Sequence, residues 1–201
     1  MSETAEERVV LCSAHGDAIG TAPKSVVHHQ ETPLHLAFSC YVFDAEGRAL
    51  VTRRARSKSV FPGVRTNSCC GHPAPGEPMT DAVRRRLKEE LGVVVTRVDL
   101  ILPTFRYRAT AADGTVENEL CPVYRVVTAD DRLSPDTAEV DDAWWVPWSE
   151  FCVAVDGSSG PDADPLSPWA AEQVRQLDEL GPDPLRWPTG EPGLLPLAAL
   201  R

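Results

Sequence analysis

Apolar and polar residues alternate along this chain with a period that switches between two, the mark of a strand, and about 3.6, the mark of a helix. The runs "LHLAFSCYVF" (34–43) and "RALVTRRA" (48–55) flank the turn residues "DAEG", which predicts a hairpin. A second hairpin is predicted where "FRYRAT" (105–110) and "TVENELCPVYRVV" (115–127) flank "AADG". Between the two lies "MTDAVRRRLKEELGV", with Val83, Leu87 and Leu91 at i, i+4 and i+8 on one apolar stripe. Thr80 or Asp81 is the expected cap of this helix and Gly92 its stop. Strands interleaved with a helix predict an α/β (α+β) core built on mixed sheets.

The pattern changes near residue 156, where "DGSSGPDADPLSP" and then "GPDPLRWPTGEPGLLP" take over. Eight of the 18 prolines lie beyond this point, so little regular structure is expected there apart from one helix. That helix is predicted over about 167–180, with Ser167 as N-cap, Pro168 at the first helical position and a stop before Gly181. Ala170, Val174 and Leu177 give it an apolar stripe. The chain thus divides into a core of residues 1–155, N-terminal extension included, and a Pro-rich extension of residues 156–201. At 201 residues it has the size of one domain with additions.

A net charge of −10 argues against a general grip on DNA or RNA, and leaves room for a small anion met by local basic residues. The N-terminal "MSETAEERVV" is acidic where an export signal is basic, and "LHLAFSCYVF" is too short to span a bilayer. A cytoplasmic protein without membrane or nucleic-acid partners is expected, as a monomer or weak dimer. The six cysteines, at 12, 40, 69, 70, 121 and 152, are accordingly expected as reduced thiols.

The polar face of the first helix carries Arg85, Arg86, Glu89 and Glu90. Taken alone it is a solvated face, in which Arg86 and Glu90 form an exposed ion pair worth about 0.3 kcal/mol. The surrounding spacing says more. Gly71, Glu77, Arg85, Leu87, Glu89, Glu90, Gly92 and Val93 resemble the Nudix box, a loop-helix-loop that presents carboxylates to a divalent cation bound to a diphosphate. Arg86 stands where diphosphate-hydrolysing members have glutamate. A fixed cation there weakens multi-metal water activation and gains a phosphate clamp, so the resemblance implies a site that binds diphosphate without cutting it.

The motifs "LHLAFS", "VTRRA", "PGVRTNSCCGHP", "FRYRA" and "ENELCPV" narrow the resemblance. In this order and spacing they are similar to the type I isopentenyl-diphosphate isomerases, Nudix-fold enzymes that interconvert isopentenyl and dimethylallyl diphosphate. The similarity runs from about Val9 to Pro147 and resumes at "SPW" (167–169). It implies an isomerase of isoprenoid biosynthesis acting on a small isoprenoid diphosphate, with Nudix-type mixed sheets flanked by helices and the C-terminal helix covering the active site. Moving an unactivated double bond needs an acid, a base on the opposite side of the substrate, shielding from water and an anchor for the diphosphate.

Glu117 and Glu119, two apart in a strand, share a face, and such a pair of carboxylates needs a cation between them or a shared proton. By resemblance the cation is a divalent metal, Mn²⁺, Zn²⁺ or Mg²⁺, held by His28, His35, His72, Glu117 and Glu119; three imidazoles suit a transition ion. The family's seven-residue spacing to His35 selects His28 over its neighbour His29. Taken singly, each histidine reads as an ordinary surface or hydrogen-bonded residue. The resemblance makes Glu119 the proton donor and acceptor at the alkene terminus, Tyr107 its hydrogen-bonding helper and Trp169 the ring facing the developing cation. Strand packing and a helix anchor are the ordinary readings of those two rings. Lys24, Arg54, Lys58 and Arg86 match the family's diphosphate anchor, and Glu90 the ligand of a Mg²⁺ that the diphosphate shares.

Cys69 and Cys70 adjoin in "TNSCCGHP". In an extended segment Cys70 and His72 point to one side and Cys69 to the other. With the family pattern this makes Cys70 the candidate base and Cys69 a core residue. Two other readings stand beside the isomerase: a Nudix hydrolase, and a non-catalytic protein in which Cys69, Cys70 and His72 hold a structural zinc, without the second Cys-x-x-Cys knuckle such sites usually show.

Overall fold

The computed structural model describes residues 6–156, 164 and 166–200. Its strands are β1 (Arg8–Cys12), β2 (Ala18–Pro23), β3 (His35–Leu36), β4 (Phe38–Phe43), β5 (Arg48–Arg54), β6 (Arg65–Thr66), β7 (Cys69–Gly71), β8 (Val95–Leu102), β9 (Arg106–Thr110), β10 (Val116–Leu120), β11 (Val123–Thr128) and β12 (Val140–Pro147). The helices are α1 (Lys24–Val27), α2 (Met79–Leu91), α3 (Trp148–Asp156) and α4 (Pro168–Asp178). One sheet runs β2-β1-β3-β10-β9, and the other β12-β5-β4-β11-β8, with β6 beside β5 and β7 beside β4.

The nearly unbroken apolar run of β4 reflects cover on both faces. Tyr41 and Phe43 pack into a cluster with α3 and α4, while Cys40 and Val42 face α2. The hairpin around "DAEG" forms at its turn, where Phe43 pairs with Ala49, and then β4 and β5 part to take other partners. β9 and β10 pair along their full length, from Val116 with Thr110 to Leu120 with Arg106.

Residues 115–127 do not form the single strand expected. The run breaks at Cys121-Pro122, since proline has no N–H to give a ladder, and resumes as β11 in the other sheet. His35 pairs in parallel with Glu119, and Ser39 with Val123, at the same offset. Across the break Ala37 N donates to Leu120 O (2.9 Å) and Ser39 N to Pro122 O (3.1 Å). One parallel ladder therefore passes between the two sheets.

In α2, Val83, Leu87 and Leu91 are buried as expected, and Gly92 ends the helix in a left-handed conformation with φ 66°. The expected cap is corrected: the helix begins at Met79, with Pro78 in the N-cap position and no side-chain cap. The buried Met79 side chain draws the start forward, the Pro78 carbonyl accepts from Ala82 N (3.0 Å), and Asp81 sits in the first turn, where its charge suits the positive helix end. In α4, Ser167 is the N-cap, accepting from Ala170 N, with Pro168 in the first turn.

Beyond α4 the chain forms three single 3₁₀ turns and packs on the core. Trp187 meets Phe43 and Trp148 edge to face. Buried Arg125 of β11 donates to the carbonyls of Pro184 (2.8 Å) and Trp187 (3.0 Å), with Asp99 balancing its charge at 2.8 Å. Cys12, Cys40, Cys69, Cys70 and Cys121 are thiols. Among the described residues no helix is long and apolar enough to cross a membrane.

Candidate active site

Register brings the first group together. Glu119 on β10 lies between its cross-strand partners His35 on β3 and Tyr107 on β9, and Glu117 shares its face. His35 Nδ1 lies 2.9 Å from Pro33 O, an acceptor that fixes the N–H there. Its Nε2 is then aimed at His72 Nε2 (3.2 Å) and Glu119 Oε1 (3.4 Å), and His72 Nε2 lies 3.1 Å from the same oxygen. His28 Nε2 comes within 3.1 Å of Glu117 Oε2, yet both atoms are buried without a properly aligned hydrogen bond.

The ligand atoms of His28, His35, His72 and Glu119 lie within 4.8 Å of one another. Lone pairs turned on lone pairs are costly unless a cation sits among them, so these residues fit a divalent metal. Glu117 stands at the margin of this group, against His28. Burial pushes His72 down to about 4 despite the pull of Glu119. Burial alone would raise Glu119, but its contacts with the His35 and His72 imidazoles hold it well below the carboxylate range.

Cys70 arrives from the other sheet. It sits on β7 opposite Ser39 of β4, with Sγ 3.3 Å from Ser39 Oγ and donating to Asn67 Oδ1 at 3.2 Å. Cys69 points the other way, into the apolar cluster beneath α2. Burial pushes the Cys70 thiol up to about 12, against the Ser39 hydroxyl and the charge of Arg54, so at neutral pH it carries its proton. Neither cysteine belongs to the His/Glu group, and the structural-zinc arrangement does not form.

Both halves open on one cavity of about 540 Å³. Cys70, Glu117, Glu119, His28, His72, Tyr107 and Trp169 line it, together with Lys24, Arg54, Lys58 and Arg86. His35 lies behind this wall, fully buried. Glu90 faces a separate small cavity of about 20 Å³. Tyr107 and Trp169 stack at 5.5 Å and 37°, and Trp169 Nε1 donates to Asn67 Oδ1 at 3.0 Å. No hydrogen bond joins the side chains of Tyr107 and Glu119, which meet as strand neighbours.

Each cation has a resident partner. Lys24 Nζ lies 2.6 Å from Glu7 Oε2. Arg54 donates to the carbonyls of Val60 and Phe61 and sits 5.7 Å from the Trp169 ring centroid; Phe61 adopts φ 49°, the one positive φ outside glycine among the described residues. Lys58 binds Glu139, and Arg86 binds Glu90 and, at 3.1 Å, Glu139. The exposed-pair reading of Arg86 and Glu90 is therefore wrong: their side chains are 9% and 8% exposed, because that face of α2 lies over β7 rather than in solvent.

Residues 33–170 match the NUDIX domain. A Saccharopolyspora erythraea protein named isopentenyl-diphosphate Delta-isomerase is 50% identical over 194 residues, which cover 96% of this chain and 97% of that one. A Mycolicibacterium vanbaalenii protein of the same name is 56% identical over 175 residues, 87% of this chain and 93% of that one. The chain belongs to the isopentenyl-diphosphate isomerases of the Nudix family. A solved structure from Deinococcus radiodurans shares this chain's fold at TM-score 0.63 and 19% identity, over 85% of this chain and 98% of that one. A MutT Nudix hydrolase from Burkholderia pseudomallei does so at 0.53 and 19%, over 72% and 98%. In this Nudix chain the box helix is α2, and Arg86 is wedged between Glu90 and Glu139.

Ser39, Asn67, Gln173, Glu7 and Glu139 all touch the site without having been expected there. Ser39 and Asn67 stand inside the motifs "LHLAFS" and "TNSCCGHP", and Gln173 lies one turn from Trp169, so spacing could have pointed to these three. Gln173 donates to Ser39 Oγ at 2.9 Å and accepts from Tyr41 at 3.0 Å, which ties α4 to the Cys70 strand pair.

Proposed function

We propose that this chain interconverts isopentenyl diphosphate and dimethylallyl diphosphate, adding a proton at one carbon and removing another two carbons away. The observation that supports the reading is that Cys70 and Glu119 line one cavity from different sheets; the reading sets them on opposite sides of a planar alkene. Glu119 exchanges a proton with the terminal alkene carbon, and Cys70 with the carbon next to the diphosphate-bearing one. At rest Cys70 carries a proton and Glu119 does not, so the isomerisation starts from the form in which one proton has passed from the thiol to the carboxylate; the Ser39 hydroxyl and Arg54 favour the thiolate of that form. Tyr107 and Trp169 keep water out and offer π faces to the cation-like state, worth about 2 kcal/mol in a dry site. Lys24, Arg54, Lys58 and Arg86 anchor the diphosphate through charge-assisted bonds, which reconciles an anionic substrate with a net charge of −10.

His28, His35, His72, Glu117 and Glu119 are the residues to hold one divalent ion, with three imidazoles favouring Mn²⁺ or Zn²⁺ over Mg²⁺. When bound, the ion supplies the positive charge that lets the two carboxylates sit side by side and makes a protonated Glu119 a stronger acid. Glu90 holds the Mg²⁺ that travels with the diphosphate. Residues 156–201 are an extension that brings Trp169 over the site, in a cytoplasmic small-molecule enzyme. The hydrolase alternative is disfavoured by Arg86, a cation where multi-metal hydrolysis needs a carboxylate.

The test is proton incorporation. Isopentenyl diphosphate, the protein and Mg²⁺ in deuterated water should yield deuterated dimethylallyl diphosphate. Neither label nor isomer would sink the proposal, and release of pyrophosphate or phosphate instead would favour the hydrolase.

A further inference from the structure

We propose that Glu139 is a resident counterion of the diphosphate anchor: it releases Lys58 and Arg86 when a diphosphate arrives with Mg²⁺, and joins Glu90 as a carboxylate ligand of that ion. The inference rests on the proposed assignment of Lys58, Arg86 and Glu90 to the magnesium–diphosphate site.

Glu139 lies immediately before β12, far in sequence from the Nudix helix, yet its two oxygens divide between the two cations. Oε2 takes Lys58 Nζ, and Oε1 lies 3.1 Å from Arg86 Nη2. Both cations line the main cavity, so this carboxylate occupies donors that an incoming phosphate needs. Its backbone is tied down on both sides: Glu139 N donates to Asp136 O (2.9 Å) and Glu139 O accepts from Ala55 N (2.9 Å), next to Arg54. Burial alone would raise its pKa, but the Lys58 hydrogen bond and the charges of Lys58 and Arg86 bring it to about 2. The group is a fixed anion at any working pH.

Glu90 Oε1 and Glu139 Oε1 accept from the same nitrogen, Arg86 Nη2, so the two carboxylates converge. Together they line the cavity of about 20 Å³, room for a single water-sized occupant. Thr52, Thr66 and Ser68 also line it, but their hydroxyls are already bonded to Asn67 O, Asn67 Oδ1 and Leu50 O, so Glu90 and Glu139 are the oxygen groups left there to meet a hard cation. Cys70, Arg54 and Lys58 line both this hole and the main cavity, so the two are neighbours.

Charge balance links the two events. At rest Lys58 and Arg86 are matched by Glu90 and Glu139, and the half-exposed Glu89 meets Arg86 from the solvent side at 3.1 Å. A diphosphate that takes over Lys58 and Arg86 leaves Glu90 and Glu139 facing each other beside an anion, an arrangement that a divalent cation relieves. Without the metal, the diphosphate has to compete with Glu139 for its donors. Without the diphosphate, the metal has to compete with Arg86 for Glu90 and Glu139.

Isothermal titration of inorganic pyrophosphate, with and without Mg²⁺, tests this on the intact chain, on Glu139→Gln and on Glu90→Gln. For Glu139→Gln the two affinities should move in opposite directions. Metal-free pyrophosphate should bind about two- to fivefold more tightly, because a partly exposed ion pair no longer has to be broken. With saturating Mg²⁺ it should bind at least about tenfold more weakly, because a carboxylate on the ion is lost. A shift in the same direction in both titrations, or in neither, overturns the proposal. Glu90→Gln tests the underlying assignment separately: unchanged Mg²⁺-dependent binding in that variant removes the magnesium role of Glu90 itself. Glu139→Ala, which has no amide to mispair, has to repeat the crossed result, with thermal melts establishing that each variant is folded.

Discussion

Gly71 stands between Cys70 and His72, and its missing side chain is space that two neighbours already use. A Cβ at this position would lie 2.9 Å from Arg86 Cγ and 3.0 and 3.2 Å from Cζ and Cε1 of Phe38. Phe38 is fully buried on β4, and Arg86 is pinned by Glu90 and Glu139, so neither has free room to retreat. The backbone of Gly71 lies outside the positive-φ region, so Gly71→Ala adds no local strain; the perturbation is one methyl group in a filled space. Overpacking of this kind costs about 1 to 3 kcal/mol. In a chain of this size each kcal/mol lowers Tm by about 2 to 4 °C. Activity should fall further than stability, because whichever neighbour yields, Cys70, His72 or Arg86 moves with it, and a displacement of ~1 Å costs on the order of 100-fold in rate. Calorimetric melting and kcat/KM for isopentenyl diphosphate check both parts. An alanine variant with unchanged Tm and unchanged kcat/KM would refute the reasoning, since the methyl group would then have found space that the structure does not contain.

Cys70→Ala should abolish formation of dimethylallyl diphosphate while Cys69→Ala largely spares it, as followed by NMR; the reverse outcome would overturn the assignment of the base. Dialysis against a chelator should lower Tm, and Mn²⁺ or Zn²⁺ should restore it, because His28, His35, His72 and Glu119 converge within 4.8 Å; indifference to both treatments counts against a metal there. Arg125→Met leaves Asp99 and the carbonyls of Pro184 and Trp187 without their donor, and should cost about 3 to 5 kcal/mol in denaturant melts; undiminished stability would mean that the tail is not clamped.

Features that rest on local chemistry were legible in the sequence. The stripe of Val83, Leu87 and Leu91, the stop at Gly92 and the Ser167-Pro168 start of α4 all follow from neighbours within a turn or two. Pairing was less legible, because a strand covered on both faces, such as β4, advertises burial without naming its partners. The break at Cys121-Pro122 did carry a signal, the proline itself. In the site, motif spacing brought the histidines, Cys70 and the four cations into one reading. Glu139 had no such signal: it sits in the acidic run "DTAEVDD", which reads as a solvated loop, and its partners Lys58 and Arg86 are 81 and 53 positions away. The Arg86–Glu90 pair misled for a related reason, since helical spacing reveals that two side chains meet and not what covers them.

The parallel ladder that passes between the sheets also serves as a ruler. Glu119 takes its register from His35, and Cys70 takes its own from Ser39. The proposed acid and base are thus set out from two marks on the single segment "HLAFS", whose backbone spans no more than ~14 Å between the marks. Loops elsewhere can change length without altering that interval. One residue inserted between His35 and Ser39 would turn every side chain beyond it to the opposite face and slide one mark against the other. Tolerance to insertion and deletion should accordingly be lowest in these five residues, which hold neither the thiol nor the carboxylate whose separation they measure.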